Sequence, residues 1–189
     1  MEELAPIIER CRKGDALAWE ALVRRHQARV YGVAFHYLRD GEEARDLAQE
    51  VFVKVYKNLD SFKGDAAFLP WLLRMARNAA IDRIRRQKAR PPADDLQVGD
   101  AVELQSNERS PEQAWEADVG KRLVHRALGR MSEQNREIIL LKDIQGLKLE
   151  EIAEMLGVPL GTVKSRSSRA RTELAKRVVE LDPSYGAVR

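Results

Sequence analysis

Cysteine is nearly missing from this chain of 189 residues, in which Cys11 stands alone. One thiol excludes an intrachain disulfide and a cysteine-rich zinc site, and leaves Cys11 as a small apolar core group. Histidine is almost as scarce: His26, His36 and His125 are scattered and show no metal-ligand spacing. No apolar run approaches the length of a membrane span, and MEELAPIIERCRKGD lacks the basic start and apolar stretch of a secretory leader. The expected location is therefore the cytoplasm. There is no glycine-rich loop to cradle phosphate, no internal repeat and no alternating pattern of strand type.

Charge, by contrast, is abundant and segregated. Residues 61–90 carry eight cations against Asp65 and Asp82; residues 91–118 carry eight acids against Arg109 alone; residues 161–177 carry six cations against Glu173. The net charge of +3 conceals this pattern. Two basic segments separated by an acidic one point to polyanion binding at two places.

The first ninety residues read as helices. Trp19, Leu22, Val23, His26, Val30, Val33, Ala34 and Tyr37 mark one face of a long helix. Asp40 followed by Glu43 suits the cap of a second, whose apolar positions are Ala44, Leu47, Ala48, Val51, Phe52 and Val55. The stretch from Leu59 to Phe68 breaks the pattern and predicts a loop. Pro70 then fits the first turn of a third helix with Trp71, Leu72, Met75 and Ala79 on one side. The acidic stretch from Pro91 to Asp118, with Pro91 and Pro92 adjacent, predicts a flexible linker. Its roughly 28 residues could reach about 90 Å when extended. Val119, Leu123, Val124, Ala127, Leu128 and Met131 predict a further helix, and Ile138, Ile139 and Leu141 another.

The stretch LKLEEIAEMLGVPLGTVKSRSSRARTEL, from Leu147 to Leu174, has the pattern of a helix, a tight turn and a second helix. Leu149, Ile152, Ala153 and Leu156 fall on one face of the first. Gly157 suits the left-handed residue that ends it, and Pro159 belongs in the turn or the opening of the second. There Val163, Ala170 and Leu174 point inward, and Lys164, Ser165, Ser168, Arg169 and Thr172 lie opposite. Cations and short hydroxyls are suited to base edges in the major groove, so a helix-turn-helix that reads DNA is expected.

Three blocks in order, DLAQEVFVKVYKNLDSF, FLPWLLRMARNAAIDRIRR and LEEIAEMLGVPLGTVKSRSSRAR, closely resemble the extracytoplasmic-function class of bacterial sigma factors. The resemblance runs from about Trp19 to Leu174. It implies an all-α chain with a sigma2-like helical bundle over 1–90, an acidic flexible linker over 91–118, a sigma4-like helix-turn-helix domain over 119–181 and a tail over 182–189. It implies a subunit of core RNA polymerase that directs promoter-specific initiation, needs no cofactor and is held in check by an anti-sigma factor. Asp46, Gln49, Glu50, Val51, Phe52 and Lys54 are then expected to dock on the coiled coil of the largest polymerase subunit, with the flap of the second-largest as a further contact. Phe62, Lys63, Phe68, Trp71, Arg74, Arg77, Asn78 and Arg85 are expected to read a melted minus-ten element. Lys164, Ser165, Arg166, Ser168, Arg169 and Arg171 are expected at the minus-thirty-five duplex, with Arg166 and Arg171 serving phosphates or local ion pairs. Ser167, Lys148 and Pro70 depart from the residues the family usually carries at those positions.

Two other classes are compatible with parts of the sequence. An enzyme could use Asp46 and Glu50, one turn apart, as a carboxylate pair, but no His or Cys joins them. A dimeric repressor could use the same helix-turn-helix, and would bind a two-fold symmetric operator tightly without any polymerase.

Overall fold

The computed structural model describes residues 4–62, 67–89 and 111–186, and every regular element among them is a helix. The chain divides into two units, Met1–Val102 and Glu103–Arg189. Lys63 and residues 91–110 of the expected linker lie outside the described residues.

In the first unit, α1 (Leu4–Arg12) packs on α2 (Ala16–Leu38), which lies against α3 (Gly41–Asn58) and α4 (Phe68–Lys88). Two of these helices start at a side-chain cap. Asp15 accepts hydrogen bonds from the backbone of Leu17 and Ala18, capping α2. Asp40 accepts from Glu43 N at 2.8 Å, the cap expected for α3. The core joins Leu22, Val30 and Val33 of α2 to Leu47, Val51 and Val55 of α3 and to Leu72 and Leu73 of α4. Ala34, Ala44, Ala76 and Ala80 are wholly buried, and their small side chains let the helix backbones approach.

The inward stripe of α4 differs from the expected one. Phe68, Leu72, Leu73, Ala76, Ala79 and Ala80 are buried, whereas Trp71 and Met75 sit half-buried at its flank. The groove left by α2 accepts alanines, and an indole or thioether at those positions would not fit.

In the second unit α8 (Leu160–Leu181) is the centre. It packs against α5 (Pro111–Gly129), α6 (Glu133–Ile139) and α7 (Leu149–Leu156). The helix α5 begins at Pro111, eight residues before Val119, so 111–118 is helix rather than the end of a linker. Ser110-Pro111-Glu112-Gln113 explains it: a capping-box pattern with Pro at the first helical position. Of the expected inward residues, Leu123, Ala127, Leu128 and Met131 are buried and Val124 is exposed.

Helix α6 widens into a π-helical turn over Leu140–Ile144, closed by Gln145 N donating to Leu140 O at 2.9 Å. The wider turn shifts the register, so that Ile138, Ile139, Leu140 and Leu141 are all buried in succession. In α7 the buried residues are Ile152 and Met155, while Leu149, Ala153 and Leu156 are half-buried. Lys148 provides no side-chain acceptor at the start of α7; instead Glu151 accepts from Lys148 N at 2.7 Å. Gly157 ends the helix with φ 66°, the left-handed geometry expected of it. Residues Pro183–Gly186 of the expected tail form a short 3-10 turn against α8.

His26 lies in the first core beside Phe68, with ring centroids 5.3 Å apart. Neither ring nitrogen makes a hydrogen bond, and burial, helped by Arg25 and Arg29, lowers its pKa to about 4. The unfolded chain takes up this proton below about pH 6.5 and the folded chain only below about 4, so stability falls as pH drops through that window. The difference amounts to on the order of 2–3 kcal/mol. Denaturant unfolding of His26→Leu alongside the natural chain should show that the variant lacks this part of the loss between pH 6.5 and 4.

Candidate nucleic-acid interface

The outer face of α8 presents Lys164, Ser165, Ser168 and Arg169, all exposed, with Arg166 half-buried beside them. Ser165 Oγ donates to Thr162 O at 3.0 Å, and Arg169 lies along its own helix, donating to Ser165 O and Oγ. The two Arg169 bonds, at 3.4 and 3.3 Å, are long, so the guanidinium can be redirected at little cost. Arg171 differs. Its guanidinium holds both oxygens of Asp143 on the π turn, with Nε donating to Oδ2 at 3.4 Å. The expected alternative of a local ion pair is therefore the one Arg171 adopts.

The back of α8 is tied by polar groups as well as apolar ones. Ser167 is buried and its hydroxyl accepts from Lys142 Nζ at 3.0 Å, so the polar residue on the inward face has a partner. Glu173 accepts from Ser132 N at 2.9 Å, from Ser132 Oγ and from Asn135. It thereby serves the start of α6, which Ser132 does not cap itself. These bonds, that from Asn135 foremost, hold the Glu173 carboxyl below the usual carboxylate range. Nothing in the spacing of Lys142, Asp143 and Asn135 says which helix they face, so the sequence alone does not single them out.

In the first unit the aromatic residues near the cations form one cluster. Phe62 meets Phe68 edge-on at 5.4 Å, and Trp71 lies 5.1 Å from Phe62 and 5.6 Å from Phe68. Phe62 and Phe68 are buried, at 4% and 3% exposure, so they are the floor of the cluster rather than surfaces on which a base can lie. The expectation that they stack on bases is corrected: their rings fill the space between α4 and the turn after α3. Only Trp71 is partly open. From it, Asn78 and Arg85 follow at intervals of seven along α4, placing them in one line, with Arg74 beside it. Asn78 and Arg85 are exposed, and Arg74 and Arg77 half-buried.

On α3, Asp46, Gln49, Glu50 and Lys54 are exposed, as expected of a docking face. Val51 and Phe52 are not available to a partner: Val51 is wholly buried, and Phe52 is buried against Trp19, edge-on at 6.5 Å. Their positions on the helix point them at α2. The apolar part of this face consists instead of Val53 and Tyr56, at 54% and 59% exposure. The signal was present in VFVKVY, which has more apolar residues than one buried stripe can use. Glu50 also accepts from Arg83, which reaches Glu43 O as well, so Arg83 bridges α4 to α3.

Comparison with known proteins agrees with this arrangement. The family described as Sigma-70 region 2 matches residues 22–90, and Sigma-70 region 4 matches residues 121–174. The RNA polymerase sigma-H factor of Pseudomonas aeruginosa is 35% identical over 185 residues, covering 95% of this chain and 96% of the relative. The chain belongs to the extracytoplasmic-function sigma factors. The sigma-E factor of Escherichia coli K12 is 37% identical over 183 residues, 93% of this chain and 94% of its own length. Among solved structures, CnrH in complex with the cytosolic domain of CnrY matches with TM-score 0.62 and 25% identity, covering 93% of this chain and 96% of that one. RpoE of Bartonella quintana, solved with the anti-sigma factor NepR, shares the fold at TM-score 0.66 and 22% identity, over 86% and 97% of the chains. The two units of this sigma factor are thus its region 2 and region 4 domains.

The Asp143–Arg171 pair has a measurable consequence for region 4. A guanidinium held by a carboxylate releases no counterion from DNA, whereas each phosphate newly neutralised adds about 0.9 to the slope of log K against log salt. Asp143→Asn should steepen that slope for duplex binding by about one contact. Arg171→Gln, made alone, should leave it unchanged. Filter or anisotropy titrations at several salt concentrations measure both.

Proposed function

We propose that this chain is the promoter-recognition subunit of RNA polymerase, binding the core enzyme and directing initiation through two reading surfaces in two domains. The observation that carries the reading is the pairing of cationic helix faces, one on α4 with an aromatic beside it and one on a helix-turn-helix, in a chain of this family. The chemistry of the two faces differs as the two tasks do. Melted DNA offers unpaired bases, which are held by stacking and edge contacts contributing roughly 1–3 kcal/mol each. Trp71 supplies the stacking surface, Asn78 both donates and accepts, and Arg74, Arg77 and Arg85 follow the phosphates of the minus-ten element. Duplex DNA offers base edges in the major groove. Lys164, Ser165, Ser168 and Arg169 read these at minus thirty-five, with Arg166 on a phosphate. Phosphate contacts set register, and base contacts discriminate.

Asp46, Gln49, Glu50 and Lys54, joined by Val53 and Tyr56, form the surface for the coiled coil of the largest polymerase subunit, and region 4 meets the flap of the second-largest. The exposed apolar groups support this, since patches of that kind mark interaction sites. The chain is not itself an enzyme: it supplies recognition and leaves phosphodiester chemistry to the polymerase. It works in the cytoplasm, in keeping with the absence of any helix among the described residues that is long and apolar enough to cross a membrane. By analogy with the RpoE protein solved bound to NepR, an anti-sigma factor covers its docking surfaces until a signal releases them.

Run-off transcription with core polymerase over a randomised promoter library tests the proposal, together with gel shifts in the presence and absence of core enzyme. Defined start sites should emerge only with the chain present, and the chain alone should bind DNA weakly. A tight, two-fold symmetric footprint by the chain alone would instead make it a dimeric repressor.

A further inference from the structure

Helix α1 lies outside the residues matched by either sigma region, yet it reaches the base-reading cluster. Its last residue, Arg12, extends a side chain that is only 23% exposed to a part of the chain some fifty residues away. The guanidinium donates to Leu59 O through Nε at 3.4 Å and Nη2 at 3.3 Å, and Nη2 donates also to Phe62 O. Glu9, one turn earlier, holds Nη1 and so aims the group.

The carbonyls at the end of a helix have no partner within it. Around the end of α3 and the turn that follows, Asn58 Nδ2 donates to Lys54 O, Ser61 Oγ to Asn58 O, and Phe62 N to Leu59 O. Arg12 adds donors from outside, to Leu59 O and Phe62 O. A planar guanidinium with several donors can hold two carbonyls in one geometry, which a lysine, a point charge, cannot. The residue fixed in this way is Phe62. Its ring is the floor under Trp71, 5.1 Å away with planes at 44°, and it meets Phe68 edge-on. The base of α1 is itself fixed: Ile7, Ile8 and Cys11 are buried, and Arg10 pairs with Asp15, the cap of α2, at 2.9 Å.

We propose that Arg12 is a positioning residue for minus-ten recognition, setting the orientation of Trp71 through the backbone of Phe62, so that α1 is part of the strand-reading apparatus. This rests on the reading of the α4 face given above.

The test uses the full chain with core polymerase on a promoter chosen from the library, and compares open-complex formation on it with that on single-base variants of each element. Arg12→Gln should lower discrimination within minus ten by about tenfold, the scale of one lost base stack, and leave discrimination within minus thirty-five unchanged. Arg12→Lys should fall between, and Glu9→Gln should show the same effect more weakly. If Arg12→Gln does not fold, the Lys and Glu9 variants decide by the same ratio. Val30→Ala, a core truncation on α2 at a residue that bonds neither Arg12 nor Phe62, serves as the stability control. Unchanged minus-ten discrimination, or an equal loss in a Val30→Ala protein of matched thermal stability, overturns the proposal. Asn78→Ala separates the two levels: if it relaxes minus-ten discrimination and Arg12→Gln does not, Arg12 alone has been misassigned. If neither variant does, the assignment of α4 to the melted strand fails with it.

Discussion

A helix that reads DNA with one face must be held rigidly by the other, and both cationic helices here are held by contacts their exposed faces do not share. On α4 the hold is steric. Alanines at 76, 79 and 80 are buried against α2 and α3, and a register shift along the helix would bring larger side chains into a space that excludes them. On α8 the hold is part polar. Val163 and Ala170 are wholly buried, but Ser167 between them is bonded to Lys142, and Asp143 and Ser132 reach Arg171 and Glu173. A hydrogen bond fixes direction as well as distance, which a small apolar contact does not. The polar ties therefore fix the rotation of α8 about its own axis, the coordinate that decides which side chains meet base edges.

Much of this was legible from residue spacing. The Asp40 cap, the left-handed Gly157 and the core stripe of α3 follow from local rules, and so does most of that of α2, where Leu22, His26, Val30, Val33 and Ala34 are buried but Trp19, Val23 and Tyr37 only half-buried. Other features depended on what lies opposite. Trp71 and Met75 have the spacing of a core stripe, but the groove facing α4 takes Leu72 and Ala76, one position on. Phe62 and Phe68 look like stacking surfaces beside arginines, and only the folded chain shows them buried in one another. Composition also misled: the acids at 112, 116 and 118 suggested a linker, though they lie in a helix that begins at Pro111.

The three departures from the family pattern have distinct physical outcomes. Ser167 is compensated by the Lys142 ammonium. Lys148 is half-compensated: Glu151 serves the backbone of the capping position, and no side chain serves the start of α7 in return. Pro70 costs nothing, because it sits in the first turn of α4, where a backbone N–H has no partner inside the helix.

Leu17, Val53 and Tyr56 remain uncovered on the free chain. Such a surface is adhesive toward any apolar neighbour. Burying Val53 and Tyr56 of α3 under a partner would therefore favour the complex over the free chain.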